Sequence, residues 1–146
     1  MAAGICDGLG LGDNTKATLI TRGLAEIVRL ATKLGAEPPT FAGLSGMGDL
    51  IATAGSEHSR NWRAGYQIGK GQKTEQVFAG PQVVEGASTA RSALALAQKL
   101  AVPMPITEEI CLVLAGKEPS LAVRSLMCRE PQVEVDHSGW WARGEG

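Results

Sequence analysis

Long apolar runs, paired cysteines, an excess of either charge and alternating β-branched stretches are all missing from this sequence. No apolar segment approaches the roughly 20 residues that cross a bilayer. Met1 to Asp7 has no basic stretch leading into an apolar one, so it does not read as a secretory leader. The 14 Lys and Arg against 15 Asp and Glu leave a net charge of −1, which gives no global pull toward nucleic acid or an anionic membrane. Any anion must therefore be held by a local site. Cys6, Cys111 and Cys128 are odd in number and far apart, with neither His58 nor His137 close by. They are expected to be reduced core thiols of a cytoplasmic protein, and no four-ligand metal set is visible. Without alternating apolar positions there is no strand signal, and no internal repeat is found, so the expected class is all-α.

What is present is helical periodicity in a chain of 146 residues, 44% hydrophobic and 20% charged. That is enough for one domain with a core of its own. From Asn14 to Gly35, the positions Ala17, Ile20, Leu24, Ile27, Ala31 and Leu34 recur at threes and fours, which predicts one inward face. Arg22 and Glu26 fall four apart on the polar side. Asp13 or Asn14 can cap the start, and Gly35 suits a left-handed exit. Pro38 and Pro39 reset the chain, and Thr40 to Ala54 is so uniformly small or apolar that it predicts a single buried helix. Further helices are expected from Ser59 to Gly69 or Gly71, from Val84 to Ala101, from Pro105 to Leu114 and from Ser120 to Cys128, with a short one over Thr74 to Ala79. In the Val84 helix, Ala87, Ala90, Leu94, Ala97 and Ala101 should face inward, with Arg91, Gln98 and Lys99 outward.

Residues 1–130 thus form the expected helical domain, while Pro131 to Gly146, polar and with Trp140 and Trp141 among charges, is expected to be a disordered tail. Gly8-Leu9-Gly10-Leu11-Gly12 invites a dinucleotide reading, but no strand precedes it and the spacing is not GxGxxG. A helix end with close backbone packing is the better reading.

Three places carry chemistry. Asp49 lies in Phe41-Ala42-Gly43-Leu44-Ser45-Gly46-Met47-Gly48-Asp49-Leu50-Ile51, where every neighbour argues for burial. A buried carboxylate needs a cation, a polar substrate or an amide to cap. Ser59-Arg60-Asn61 opens a helix, where free amides and the dipole favour an anion, and Arg60 adds a planar fork matched to phosphate oxygens. A plain helix cap is the competing reading. Glu85, in Val83-Val84-Glu85-Gly86, reads alone as a first-turn acid.

Taken in order, Ile5-Cys6-Asp7-Gly8-Leu9-Gly10-Leu11-Gly12-Asp13-Asn14-Thr15-Lys16-Ala17, Thr21-Arg22-Gly23-Leu24-Ala25-Glu26, Gly46-Met47-Gly48-Asp49-Leu50, Ser59-Arg60-Asn61, Val84-Glu85-Gly86 and Pro105-Ile106-Thr107-Glu108 resemble bacterial NAD(P)-dependent glycerol-3-phosphate dehydrogenase. The resemblance runs from about Ala2 to Arg129. It implies the multi-helix C-terminal substrate domain of the glycerol-3-phosphate and 6-phosphogluconate dehydrogenase type, without the Rossmann domain that precedes it in the family. It also implies interconversion of dihydroxyacetone phosphate and sn-glycerol 3-phosphate with NAD or NADP, feeding glycerophospholipid synthesis.

By resemblance, Asp49, Ser59, Arg60 and Asn61 contact substrate, while Arg60, Val83 and Glu85 reach a cofactor bound mainly by the other domain. The family's acid/base lysine would fall a few residues before Met1, so no catalytic residue is assigned within 1–146, and Lys16 and Lys33 match other family positions. The chain alone is expected to be inactive. The resemblance leaves a homodimer open and implies no nucleic acid, no membrane span and no metal. A non-catalytic helical module is the alternative. A related dehydrogenase acting on another hydroxy acid is disfavoured by the phosphate-suited Ser59-Arg60-Asn61.

Overall fold

The computed structural model describes residues 1–80 and 84–128. Val83 and the 131–146 tail lie outside the described residues. Within them every regular element is helical: α1 (Ala2–Gly8), α2 (Asp13–Lys33), α3 (Pro39–Ala42), a π-helical turn (Leu44–Gly48), α4 (Asp49–Ala54), α5 (Arg60–Gly69), α6 (Thr74–Phe78), α7 (Glu85–Lys99), α8 (Pro105–Leu114) and α9 (Pro119–Met127). The all-α expectation holds.

The arrangement is built around α1 and α5, which touch backbone to backbone. Gly4 and Gly8 on one helix face Gly65 and Gly69 on the other. A Cβ on Gly4 would overlap the Trp62 carbonyl oxygen, and one on Gly65 would overlap that of Met1. At Gly8 and Gly69 the nearest carbonyl oxygens, of Tyr66 and Ile5, would lie 2.5 and 2.6 Å away. Any side chain at these positions would force the axes apart. Around this contact Ile5, Ile68, Val113, Leu114 and Ala122 form the main core, with Val77, Phe78, Ala87 and Ile110 packed against it. A second cluster joins Ala97, Val102 and Met104 to Leu30 and Leu100. The two clusters hold α2, α7, α8 and α9 around the α1–α5 pair.

The helices end by a common device. After α1, α2, α5, α7 and α8, the residue past the cap turns left-handed (Gly10, Gly35, Gly71, Ala101, Gly116). The next amide then reaches back to a carbonyl in the last turn: Leu11 to Cys6 at 3.2 Å, Ala36 to Ala31 at 2.9 Å, Gln72 to Gln67 at 3.0 Å, Val102 to Ala97 at 2.9 Å and Lys117 to Leu112 at 2.9 Å. This closure satisfies carbonyls that the helix itself leaves open. Gly35 was expected in this role. α7 alone uses a residue with a Cβ, Ala101 at φ 53°. Ala97, expected inward, is fully buried, whereas Ala101 sits on the surface.

Three expectations need correction. Helix α2 begins at Asp13 with Gly12 at the capping position, so neither Asp13 nor Asn14 caps it by side chain. Its predicted inward face is also only half-covered. Ile27 and Leu34 are 41% and 59% exposed, and the residue that α2 buries completely is Glu26, at 2%. Finally, Thr40 to Ala54 is not one buried helix but α3, a π turn and α4. Gly43, Gly46 and Gly48 weaken helix propagation there. Gly46 also folds against Phe41, whose carbonyl oxygen a Cβ would overlap. Met47 and Ile51 remain 39% and 51% exposed.

Candidate functional site

Ser59 opens α5 as a true cap: extended at φ −67°, ψ 121°, its side chain accepts from the Trp62 amide at 3.3 Å. This bond leaves the Arg60 and Asn61 amides, both in the first turn, without a helical partner. The Arg60 side chain is exposed and Asn61 is half-buried. Asn61 Oδ1 accepts from the Gly86 amide at 2.9 Å, 25 positions along the chain. Since Gly86 is the second residue of α7, this bond brings the starts of α5 and α7 together. Glu85, exposed at the first position of α7, therefore adjoins the Ser59–Arg60–Asn61 corner. Of the expected site residues, Ser59, Arg60, Asn61 and Glu85 are brought together.

Asp49 departs from expectation in one respect. It begins α4 and is exposed, so burial imposes no need for a partner. The reasoning from apolar neighbours failed because the small residues around it do not build a covering layer.

Behind α5, an unanticipated network locks its first turn. Asp7 Oδ2 accepts from the Trp62 indole at 2.8 Å, and its other oxygen pairs with Lys16 at 3.0 Å. Trp62 stacks on Tyr66 with ring centroids 5.0 Å apart, and Lys70 lies over Tyr66 at 5.4 Å. The hydrogen bond that Lys16 donates to Asp7 raises the Lys16 pKa above the ordinary lysine value, with Asp13 adding to the effect. Asp7, Lys16, Gly55, Glu57, Trp62 and Tyr66 border a cavity of about 430 Å³ against this helix start. A second cavity of about 480 Å³ lies between α1, α2, α8 and α9, and none of the expected site residues lines it. None of the expected site residues lines the smaller one either.

A second missed residue is structural. The Glu26 carboxylate accepts from the amides of Ile106 at 2.5 Å and Thr107 at 3.1 Å and from the Thr107 hydroxyl at 3.0 Å. It caps α8, which has no side-chain cap of its own. Burial pushes the Glu26 carboxyl above the usual range, and these hydrogen bonds oppose the shift. The stretches Thr21–Glu26 and Pro105–Glu108, separate in sequence, thus meet in one contact. No local pattern could have paired them. Likewise, Lys117 closes on the buried Glu109 at 2.6 Å and reaches Ser125 at 3.2 Å, tying α8 to α9.

Among the described residues no group of His, Cys, Asp or Glu is arranged to hold a metal ion, and no helix is long and apolar enough to cross a membrane. Gly8 ends α1 and Leu9 to Gly12 form the turn into α2, so this glycine run joins two helices and is no strand-to-helix dinucleotide loop.

Comparison with known proteins identifies the family. The chain is 59% identical over 138 residues to glycerol-3-phosphate dehydrogenase (NAD(P)+) of Geobacillus kaustophilus, a match covering 93% of this chain and 40% of the relative. It is 56% identical to the enzyme of the same name from Bacillus subtilis, with the same coverage. The chain therefore spans about 40% of the length of these relatives. A crystal structure of glycerol-3-phosphate dehydrogenase from Coxiella burnetii superposes with a TM-score of 0.83 at 42% identity, covering 88% of this chain and 40% of that one. Residues 1–124 match the family described as NAD-dependent glycerol-3-phosphate dehydrogenase C-terminus, and the chain belongs to that family.

Proposed function

We propose that this chain is the substrate-holding part of a glycerol-3-phosphate dehydrogenase that interconverts dihydroxyacetone phosphate and sn-glycerol 3-phosphate. The observation that carries the reading is the Asn61–Gly86 bond at 2.9 Å, which gathers Ser59, Arg60, Asn61 and Glu85 at one corner. That corner offers what a phosphate monoester needs: helix-start amides, two neutral side chains and an exposed guanidinium with a planar pair of donors. Asp49, exposed on α4, is available to a substrate hydroxyl. Supply of glycerol phosphate for glycerophospholipids and a cytoplasmic setting follow from the same reading.

The donor set also fits part of a nicotinamide dinucleotide. Arg60 suits a phosphate or amide oxygen, and the Glu85 carboxylate suits ribose hydroxyls. The dinucleotide itself supplies or accepts the hydride. When hydride reaches a carbonyl carbon, charge develops on oxygen and an acid must meet it. On this reading Ser59, Arg60 and Asn61 grip and orient the substrate, and Lys16, which matches another family position and pairs with Asp7, is not assigned as the acid. The 146-residue chain by itself is expected to show no dihydroxyacetone phosphate-dependent oxidation of NADH or NADPH. Turnover that survives repurification would overturn this.

Arg60 provides the test, in a chain joining these residues to a family nucleotide-binding half. Neutral hydrogen bonds from Ser59 and Asn61 contribute about 0.5–1.5 kcal/mol each, and a charged two-pronged contact roughly 1.5–3. Arg60→Ala should therefore lower kcat/KM for dihydroxyacetone phosphate by about tenfold to several hundredfold. Arg60→Lys should fall between, keeping charge without the fork. Unphosphorylated dihydroxyacetone should respond far less; equal losses for both substrates would mean that Arg60 holds fold or cofactor instead.

A further inference from the structure

The Gly86 amide does more than join two helices, because its donor character decides which way the Asn61 carboxamide faces. An N–H can only donate, so the Asn61 atom 2.9 Å from it is the oxygen. The Nδ2 group is thereby left as a donor for some other acceptor. Were the amide reversed, Nδ2 would confront the Gly86 N–H and the oxygen would face any incoming anion, which it would repel.

The position also has no room for a side chain. A Cβ at residue 86 would lie 2.6 Å from Asn61 Oδ1 and 2.9 Å from its Cγ. Here the obstructing atoms are the far end of a side chain, unlike the carbonyl oxygens that face Gly4 and Gly65. Added bulk at 86 would turn Asn61 aside without separating the helices. Gly86 is the second residue of α7, where its amide has no partner within its own helix, so Asn61 satisfies a donor that would otherwise be open.

We propose that Gly86 is a positioning residue for substrate binding: its amide fixes Asn61 with Nδ2 as a donor to a phosphate oxygen, and its missing side chain is what permits that pose. The inference rests on the phosphate reading above and assigns a role to a residue that touches no substrate.

The test uses the whole 146-residue chain, isotopically labelled, titrated with sn-glycerol 3-phosphate and followed by NMR. A scalar coupling across the hydrogen bond, from Gly86 nitrogen to Asn61 Cγ, should be present in the native chain, and its absence overturns the proposal. Gly86→Ala should fold with little change in Tm, lose the coupling and weaken binding by about tenfold or more, the effect of losing a donor to a charged oxygen. Asn61→Asp should keep the coupling, since its oxygen still accepts, yet bind no more tightly than Gly86→Ala.

The deciding measurement is the double variant. If Gly86 acts only through Asn61, adding Gly86→Ala to Asn61→Ala should change affinity no further, whereas an unrelated packing defect would add to it. Additive losses, or full affinity in Gly86→Ala, overturn the positioning role. If instead the Ser59, Arg60 and Asn61 resonances of the native chain ignore sn-glycerol 3-phosphate while the coupling is present, the phosphate reading itself falls, and with it the role assigned to Gly86.

Discussion

Glu26 shows how a residue that periodicity assigns to the polar face can be the one a helix buries. Counted along α2 it belongs with Arg22 on the outer side, yet it is buried because α8 presents open amides 80 positions away. Replacing it with Ala should leave the Ile106 and Thr107 amides unmet and lower unfolding free energy by about 1–3 kcal/mol, measurable by urea denaturation. The pH dependence has a definite sign. Burial raises the folded pKa of Glu26, so the stability linked to its protonation is complete below the unfolded glutamate value of about 4.3. It is lost as pH rises through the folded value. The stability of the native chain relative to Glu26→Gln should therefore be greatest at low pH and decline toward neutrality; a flat difference would mean that the carboxyl is not shifted. Lys117 makes a parallel case. Lys117→Met would strand the Glu109 carboxylate, 6% exposed, and should cost about 3 kcal/mol, whereas Lys117→Met with Glu109→Gln should recover much of the loss. The Ser59–Arg60–Asn61 corner was legible from sequence because a capping residue, an arginine and an amide stand side by side. Glu26 and Glu109 were not, since their partners are supplied by other elements.

Helix ends were easier to read than helix interiors. Gly35 announced its left-handed exit because a residue without a Cβ relieves strain there. The same logic makes Ala101 the exception. At φ 53° its Cβ crowds the backbone, a cost of roughly 1–2 kcal/mol. Ala101→Gly should therefore stabilise the protein by about 0.5–1 kcal/mol once the greater freedom of unfolded glycine is counted, seen as a higher Tm. Glycines inside helices separate into opposite kinds. Gly23, in mid-α2, has nothing within 4 Å of an added Cβ, so Gly23→Ala should stabilise by about 0.5–1 kcal/mol. Gly65→Ala, meeting the Met1 carbonyl, should destabilise by about 3 kcal/mol or more. A similar sign for both would contradict the backbone contact between α1 and α5. The segment from Thr40 to Ala54 was misread for a related reason. Uniformly small residues give no periodic contrast, so neither the π turn nor the exposed Asp49 left a mark that counting could find.

In the molecule as a whole, the class and family were legible because motifs scattered over six stretches are held by one packing arrangement. Their mutual placement was not legible. Ile27, Leu34, Met47, Ile51, Leu112 and Met127 remain on the surface, so the apolar face predicted for α2 is only partly covered. The contact between α1 and α5 carries a further consequence. Two helices separated by ordinary side chains can slide or roll while those side chains change rotamer, as parts cushioned by a gasket can shift. Gly4, Gly8, Gly65 and Gly69 leave no such cushion, and each carbonyl oxygen that fills the gap acts as a tooth against the facing helix. Movement along the axis would require the joint first to open. Because α5 carries Ser59, Arg60 and Asn61 at its leading end, that joint sets this corner at a fixed station relative to Met1 and α1. A probe pair on these two helices should report one narrow distance, unchanged by ligand.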